Sequence, residues 1–410
     1  MSLDSAKALI MVVSRPEAID DAAAAADLKR IGVIISQDVV EPVVRRCIDL
    51  RQTIKFSYRI VDSPMEIGDA FDRFEHLLAE LEREGYAAEE VVLDPTGGTT
   101  PMRLGAALAA ITRGLSMVHR RFPMNYVGGE WEPDENGKAE IVPMDNPLES
   151  TGLLREGQAV TLFDRRDYPA AALVLEDVVS KVSGVARRHY YEGLLRLARG
   201  YAAWDVADYG AALEELKRAR DSLGVGFAER ELAERTRTLT ASINGHLPFL
   251  GKVRGRLSVE NVVDMLENAR RRIEDQGRYD DGVARLYRAL EMWHQWRLLS
   301  RHSIETAEVE WGKVDEEHRT RFLERTGLSK LPRELDLSRA RMLDEALSGE
   351  DFAEDNTYRD LLQKRNHSIL AHGLEPIGKA AARRFLEYVD SHVEEPEIRA
   401  SARHVRLGQA

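Results

Sequence analysis

The run "KRNHSILAHGLEP" holds Arg365, Asn366, His367 and His372 within eight residues. An imidazole moves protons near neutral pH, and a guanidinium grips phosphate oxygens in pairs. An arginine and a histidine close together therefore suit phosphodiester cleavage. The same two residues could instead satisfy the last carbonyls of a helix. His367 and His372 are five apart, which is not the i,i+4 spacing that clamps zinc on a helix face, and no acidic third ligand stands beside them. No metal is expected here.

A second stretch, "VVLDPTGGTTPM" at Val91–Met102, offers a different chemistry. Its aliphatic, β-branched start reads as a buried strand, and Thr100 followed by Pro101 reads as a helix cap and first turn. Gly97 and Gly98 then lie on a strand-to-helix turn. Backbone N–H groups and the helix dipole there favour an anion or another acceptor-rich ligand. The lysine of a P-loop and the spacing of GxGxxG are both missing. A plain tight connection, which paired glycines also provide, stays open.

Strands and helices must position these residues. "ALIMVV" and "RIGVIIS" read as buried strands, and "TIKFSYRIV" alternates like an edge strand. Helices are expected over 41–51, 68–84 and 101–119, with further strands around "MNYVGG" and "AEIVPM". Alternating strands and helices predict a mainly parallel sheet covered on both faces, with ligands beyond the carboxyl ends of the strands. Ser14 with Arg15, and Ser36 with Gln37 and Asp38, fall at such ends, as does the Gly-Gly turn.

From about residue 150 the chain reads as helices. "FDRRDYPAAALVLEDV" and "WDVADYGAALEELKRA" share Asp-x-x-Asp-Tyr, with apolar residues four and seven positions after Tyr168 and Tyr209; "RYDDGVARLYRAL" repeats that spacing after Tyr279. This predicts helical hairpins of tetratricopeptide type, with the tyrosines packed between helices. After Gly373 and Pro376 a further amphipathic helix carries Ile377, Ala381, Phe385 and Val389 on one face.

Composition bounds the rest. The 410 residues are 43% hydrophobic and 31% charged, with a net charge of −12 and one cysteine, Cys47. A disulfide framework and a thiolate zinc cluster are excluded, and broad coating of nucleic acid is disfavoured. The N-terminal "MSLDSAKALIMVVSRP" makes a poor signal peptide, and no run reaches the roughly 20 apolar residues of a membrane span. A cytoplasmic protein that does not enter a membrane is expected.

Taken together, the two stretches resemble a known combination. The first part resembles a CARF domain, the Rossmann-like sensor of CRISPR-associated proteins, in "DPTGGTTPM" and "VIISQD". The last part is similar to HEPN ribonucleases, whose motif is arginine, four to six residues, then histidine. Here that is Arg365, "NHSILA" and His372. The chain thus resembles the CARF–HEPN ancillary ribonucleases of type III CRISPR systems. The implied fold is α/β plus all-α, with a CARF-like domain over 1–150, a helical linker domain over 151–254 and a HEPN-like nuclease domain over 255–410. The resemblance implies a homodimer in which cyclic oligoadenylate is the allosteric activator and no cofactor is needed. Ser14, Ser36, Gln37, Thr96, Gly97, Gly98, Thr99, Thr100 and Met102 would bind it. Many members carry lysine at the position of Thr100, so ligand affinity or ring size would differ. Single-stranded RNA would be cut without metal, with Arg365, Asn366 and His372 catalytic and 2′,3′-cyclic phosphate among the products. The competing expectation is a nucleotide-sensing adaptor with an inactive HEPN part. RNA cleavage with and without cyclic oligoadenylate separates the two.

Overall fold

The computed structural model describes residues 6–25, 28–50, 53–121, 123–127, 130–133, 140–349, 356–371 and 373–409. The chain divides into two compact units, Met1–Leu154 with Lys181–Ser183, and Arg155–Ser180 with Gly184–Ala410.

The first unit is an α/β layer structure. Strands β1 (Ala8–Val12), β2 (Arg30–Ser36), β3 (Lys55–Val61), β4 (Val91–Asp94) and β5 (Ser116–Arg121) run parallel, and β8 (Glu140–Met144) closes the sheet antiparallel to β5. The order is β3-β2-β1-β4-β5-β8, with β6 (Met124–Val127) and β7 (Glu130–Pro133) as a separate hairpin. The alternating β3 sequence does sit at the edge. Successive residues of β1 go to opposite faces, as the pleat requires. Ile10 and Val12 join the core under α3 (Ile67–Arg83) and α4 (Thr100–Thr112). Leu9 and Met11 join the one under α1 (Glu17–Ala25) and α2 (Val40–Leu50). A short helix α5 (Pro147–Ser150) follows β8.

One expectation fails here. The helix predicted over 101–119 stops at Thr112, and 116–121 is the strand β5. Gly114, at φ +70°, takes the left-handed conformation that ends the helix. Met117 and Val118 then bury on opposite faces of the sheet.

The second unit is helical. It contains α6 (Leu153–Asp164), α7 (Tyr168–Lys181), α8 (Val185–Asp205), α9 (Tyr209–Leu223), α10 (Arg230–Val253), α11 (Val259–Arg270) and α12 (Tyr279–His302). Then come α13 (Glu316–Thr326), α14 (Leu337–Ser348), α15 (Asn356–Asn366), α16 (Lys379–His392) and α17 (Pro396–Ala402). Each of the three repeat tyrosines is the first residue of a helix. Two positions earlier stands a left-handed residue every time: Arg166 (φ 65°), Ala207 (φ 63°) and Gly277 (φ 67°). Asp167 and Asp208 cap the first two helices, accepting from the backbone N–H of Ala170 (3.3 Å) and Ala211 (3.1 Å). Tyr168 and Tyr201 pack inside this unit, where their hydroxyls hydrogen-bond His404 Nδ1 (2.8 Å) and His246 Nδ1 (3.0 Å). Between α12 and α14, the fully buried Asp344 accepts from Arg297 Nε at 3.0 Å and hydrogen-bonds His294 Nδ1 at 2.8 Å.

Candidate functional site

In the first unit the strand order reverses direction between β1 and β4, which makes their carboxyl ends the crevice of an open α/β sheet. Ser14 follows β1, and the Gly-Gly turn follows β4. The two are pressed together: a Cβ on Gly97 would lie 2.4 Å from the carbonyl oxygen of Val12 and 3.2 Å from the backbone nitrogen of Ser14. Gly98 has φ +77°, and a Cβ there would meet the Val12 side chain at 2.6 Å. Both glycines are required by the turn itself, whatever binds to it.

Behind the turn lies a pair that sequence reasoning missed. Asp94, 2% exposed, accepts from Arg120 Nε at 2.8 Å and from the backbone N–H of Thr96 at 2.9 Å. The Thr96 hydroxyl donates to Asp94 and accepts from the backbone N–H of Arg120. The cap of α4 is Thr99 and not Thr100: its hydroxyl accepts from Met102 N–H at 3.4 Å and donates to the Pro64 carbonyl. Met102 is 0% exposed in the core, so it cannot touch a ligand, and its expected binding role is withdrawn. A side chain two positions into this helix turns inward, which the quoted motif alone does not reveal. Ser14, Gln37 and Thr100 are exposed, Ser36 is half-buried, and Arg15 and Arg103 are exposed beside them.

In the second unit Arg365 occupies the last turn of α15. Its guanidinium lies 4.2 Å over the ring of Tyr287 on α12, and Nη1 donates to Asn366 Oδ1 at 3.1 Å. Burial raises the Tyr287 hydroxyl pKa, against the pull of the Arg365 charge. After Asn366 the chain doubles back: Ser368 N–H donates to the Arg365 carbonyl (3.1 Å), and Gly373 N–H donates to that of Ser368 (3.1 Å). A Cβ on Gly373 would lie 1.7 Å from the His367 carbonyl oxygen, so only glycine fits. This fold-back ties Ala371 and Gly373 to the Ser368 carbonyl, three residues after Arg365; His372 itself lies outside the described residues.

A cavity of about 660 Å³ adjoins this point, lined among others by Arg325, Arg341, Glu345, Tyr358, Asn366 and His367. Burial pushes the Glu345 carboxyl above its usual range, opposed by Arg341 and Arg325. Among the described residues no group of three histidine, cysteine, aspartate or glutamate side chains could hold a metal ion. No described helix is long and apolar enough to cross a membrane.

Comparison with known proteins settles the family. The Csm6 HEPN domain matches residues 253–395, and the Csm6 6H domain matches residues 152–242. Together they cover more than half of the chain. The chain belongs to the Csm6 family of CARF–HEPN proteins of type III CRISPR systems. The HEPN match encloses Arg365, the fold-back and Gly373. Among solved structures, Csm6 of Enterococcus italicus bound to cyclic hexa-2′-fluoro-hexa-dAMP is 13% identical, with 95% of each chain covered and a TM-score of 0.47. Can2 of Sulfobacillus thermosulfidooxidans in complex with cyclic tetra-adenylate is 13% identical over 74% of this chain and 71% of its own, with a TM-score of 0.25. The Vibrio cholerae protein VC1899 is 11% identical over 60% and 68%, with a TM-score of 0.25. No curated protein sequence matches the chain.

Proposed function

We propose that this protein is a ribonuclease that cuts single-stranded RNA and is switched on by a cyclic oligoadenylate. The assignment divides the chain into a sensor over 1–150, a helical linker over 151–254 and a nuclease over 255–410. The observation that carries the reading is the pairing of Arg365 with Asn366 at the end of α15, inside the stretch that matches a Csm6 HEPN domain.

In the reaction, the 2′-hydroxyl of the substrate attacks the adjacent phosphorus, and the bond to the 5′-oxygen breaks. The products carry a 2′,3′-cyclic phosphate and a 5′-hydroxyl. Arg365, stacked on Tyr287, stabilises the charge that builds on the phosphate oxygens. His372 transfers the proton, and Asn366 orients the guanidinium through its Oδ1. Because the substrate supplies its own nucleophile, no metal is needed.

The activator binds at the crevice between β1 and β4. Ser14 after β1 and Thr100 in the first turn of α4 are exposed there, the half-buried Ser36 ends the neighbouring β2 with the exposed Gln37 after it, and Thr96, Gly97, Gly98 and Thr99 hold the turn in shape. The protein acts as a homodimer in the cytoplasm. Each unit leaves apolar side chains exposed near its site: Leu104 and Leu108 one turn apart on α4, and Ile369, Leu370 and Leu374 around the fold-back. Self-complementary patches of this kind suit an isologous two-fold interface. Incubation of the full chain with cyclic tri-, tetra- and hexa-adenylate against a fluorogenic RNA tests the reading. One ring should raise cleavage far above the ligand-free rate. Cleavage with none of the three overturns it.

A further inference from the structure

The cavity beside Asn366 carries more polar structure than packing requires. Three of its lining side chains are nearly fully buried: Arg341 is 7% exposed, Glu345 3% and Tyr358 7%. Arg341 Nε donates to Glu345 Oε1 at 2.6 Å, and Arg325 Nη2 lies 3.1 Å from Oε2. The Arg341 guanidinium stacks 4.0 Å over the Tyr358 ring. Replacing a buried ion pair by apolar residues is often neutral or stabilising, so this one is weak evidence for a purely structural role. Here the charged pair faces an open cavity within the size range of small-ligand sites, and that cavity runs to Asn366 and His367.

We propose, on the reading that Arg365 and His372 cut RNA, that this cavity takes the base of a nucleotide flanking the scissile phosphate, and that the base is guanine. Bases of single-stranded RNA are splayed out, stacked on aromatic rings or arginine planes, and read by hydrogen bonds along their edges. The cavity offers these elements together. The Arg341–Tyr358 stack is a platform. Arg325, which also lines the cavity and is not part of that stack, carries donors that match the paired acceptors O6 and N7 of guanine. The Glu345 carboxylate has lone pairs beyond those its two arginines use, and guanine presents N1–H and N2–H to such an acceptor. Adenine places an amino donor where guanine has O6, against the arginine donors. Cytosine and uracil lack N7.

The test measures binding, so it does not depend on cleavage. Fluorescein-labelled 2′-O-methyl heptanucleotides UUUNUUU, with N as each of the four bases, are titrated against the full chain by anisotropy. The wild type should bind the guanine oligomer at least about fivefold more tightly than the others. Glu345→Gln keeps the shape but removes the carboxylate, and Ser338→Trp fills the cavity from its half-buried rim. Each should bring the four affinities within about twofold while the melting temperature holds. If Glu345→Gln melts early, Ser338→Trp decides. Equal or undetectable binding of all four by the wild type overturns the proposal. So does preference for another base, or guanine preference that survives Ser338→Trp. Guanine preference lost in the variants of a chain that cuts no RNA would refute the cleavage reading and leave this one standing.

Discussion

Thr100 is exposed in the first turn of α4, beside the crevice where the strand order reverses. A negative charge at a helix N-terminus stabilises the helix, yet it repels an anion bound at the same place. Thr100→Glu should therefore keep or slightly raise the melting temperature while weakening cyclic oligoadenylate binding at least about tenfold, read by calorimetric titration. Unchanged affinity would move the ligand away from this helix end. Gly98→Val is a poor test of the same site, because its side chain would strain a φ of +77° and strike Val12. Sequence alone shows that the turn is polar and glycine-rich, but not which side chains face outward. Thr96 and Thr99 spend their hydroxyls on Asp94 and Pro64, and Met102 turns into the core. The Asp94–Arg120 pair was illegible for a related reason: its partners are 26 residues apart, and only strand order joins them.

At the scale of elements, the repeated Asp-x-x-Asp-Tyr turn was readable because its tyrosines recur at a fixed helical phase. What it leaves hidden is the left-handed residue two positions before each tyrosine. The third copy uses Gly277, whereas the second holds Ala207 at φ 63°, exposed and with a Cβ that crowds its own carbonyl. Ala207→Gly should stabilise the helical unit by roughly 1 kcal/mol, seen as a higher denaturant midpoint at constant slope. A lower midpoint would show that chain entropy outweighs the relieved strain. The helix misplaced over 113–119 has the opposite cause. "LSMVHR" suits either period over so short a run, and only its pairing with β4 and β8 makes it a strand.

At the scale of the whole molecule, stability should depend on acid in a defined window. Burial lowers the His246 pKa from 6.5 to about 4 and holds that of His404 well below 6.5, with Arg271 opposing the charge on both. In the unfolded chain both histidines bind a proton near pH 6.5; in the folded chain they stay neutral. The unfolded state then holds more protons, so stability is fully present above about pH 6.5 and is lost as the pH falls from there toward 4. Thermal melting followed from pH 7 to 5 should show that decline, and a flat profile would contradict it. The cleavage chemistry itself is tested most directly by one experiment: activator-dependent cleavage of an RNA with a single cut site, in EDTA, by wild type, Arg365→Ala and His372→Ala. The wild type should cut at an undiminished rate, leave a 2′,3′-cyclic phosphate, and fail on RNA with a 2′-deoxy sugar at that site. Each variant should lose at least about 100-fold in rate. Cleavage that stops in EDTA, continues on the 2′-deoxy substrate or survives His372→Ala would contradict it.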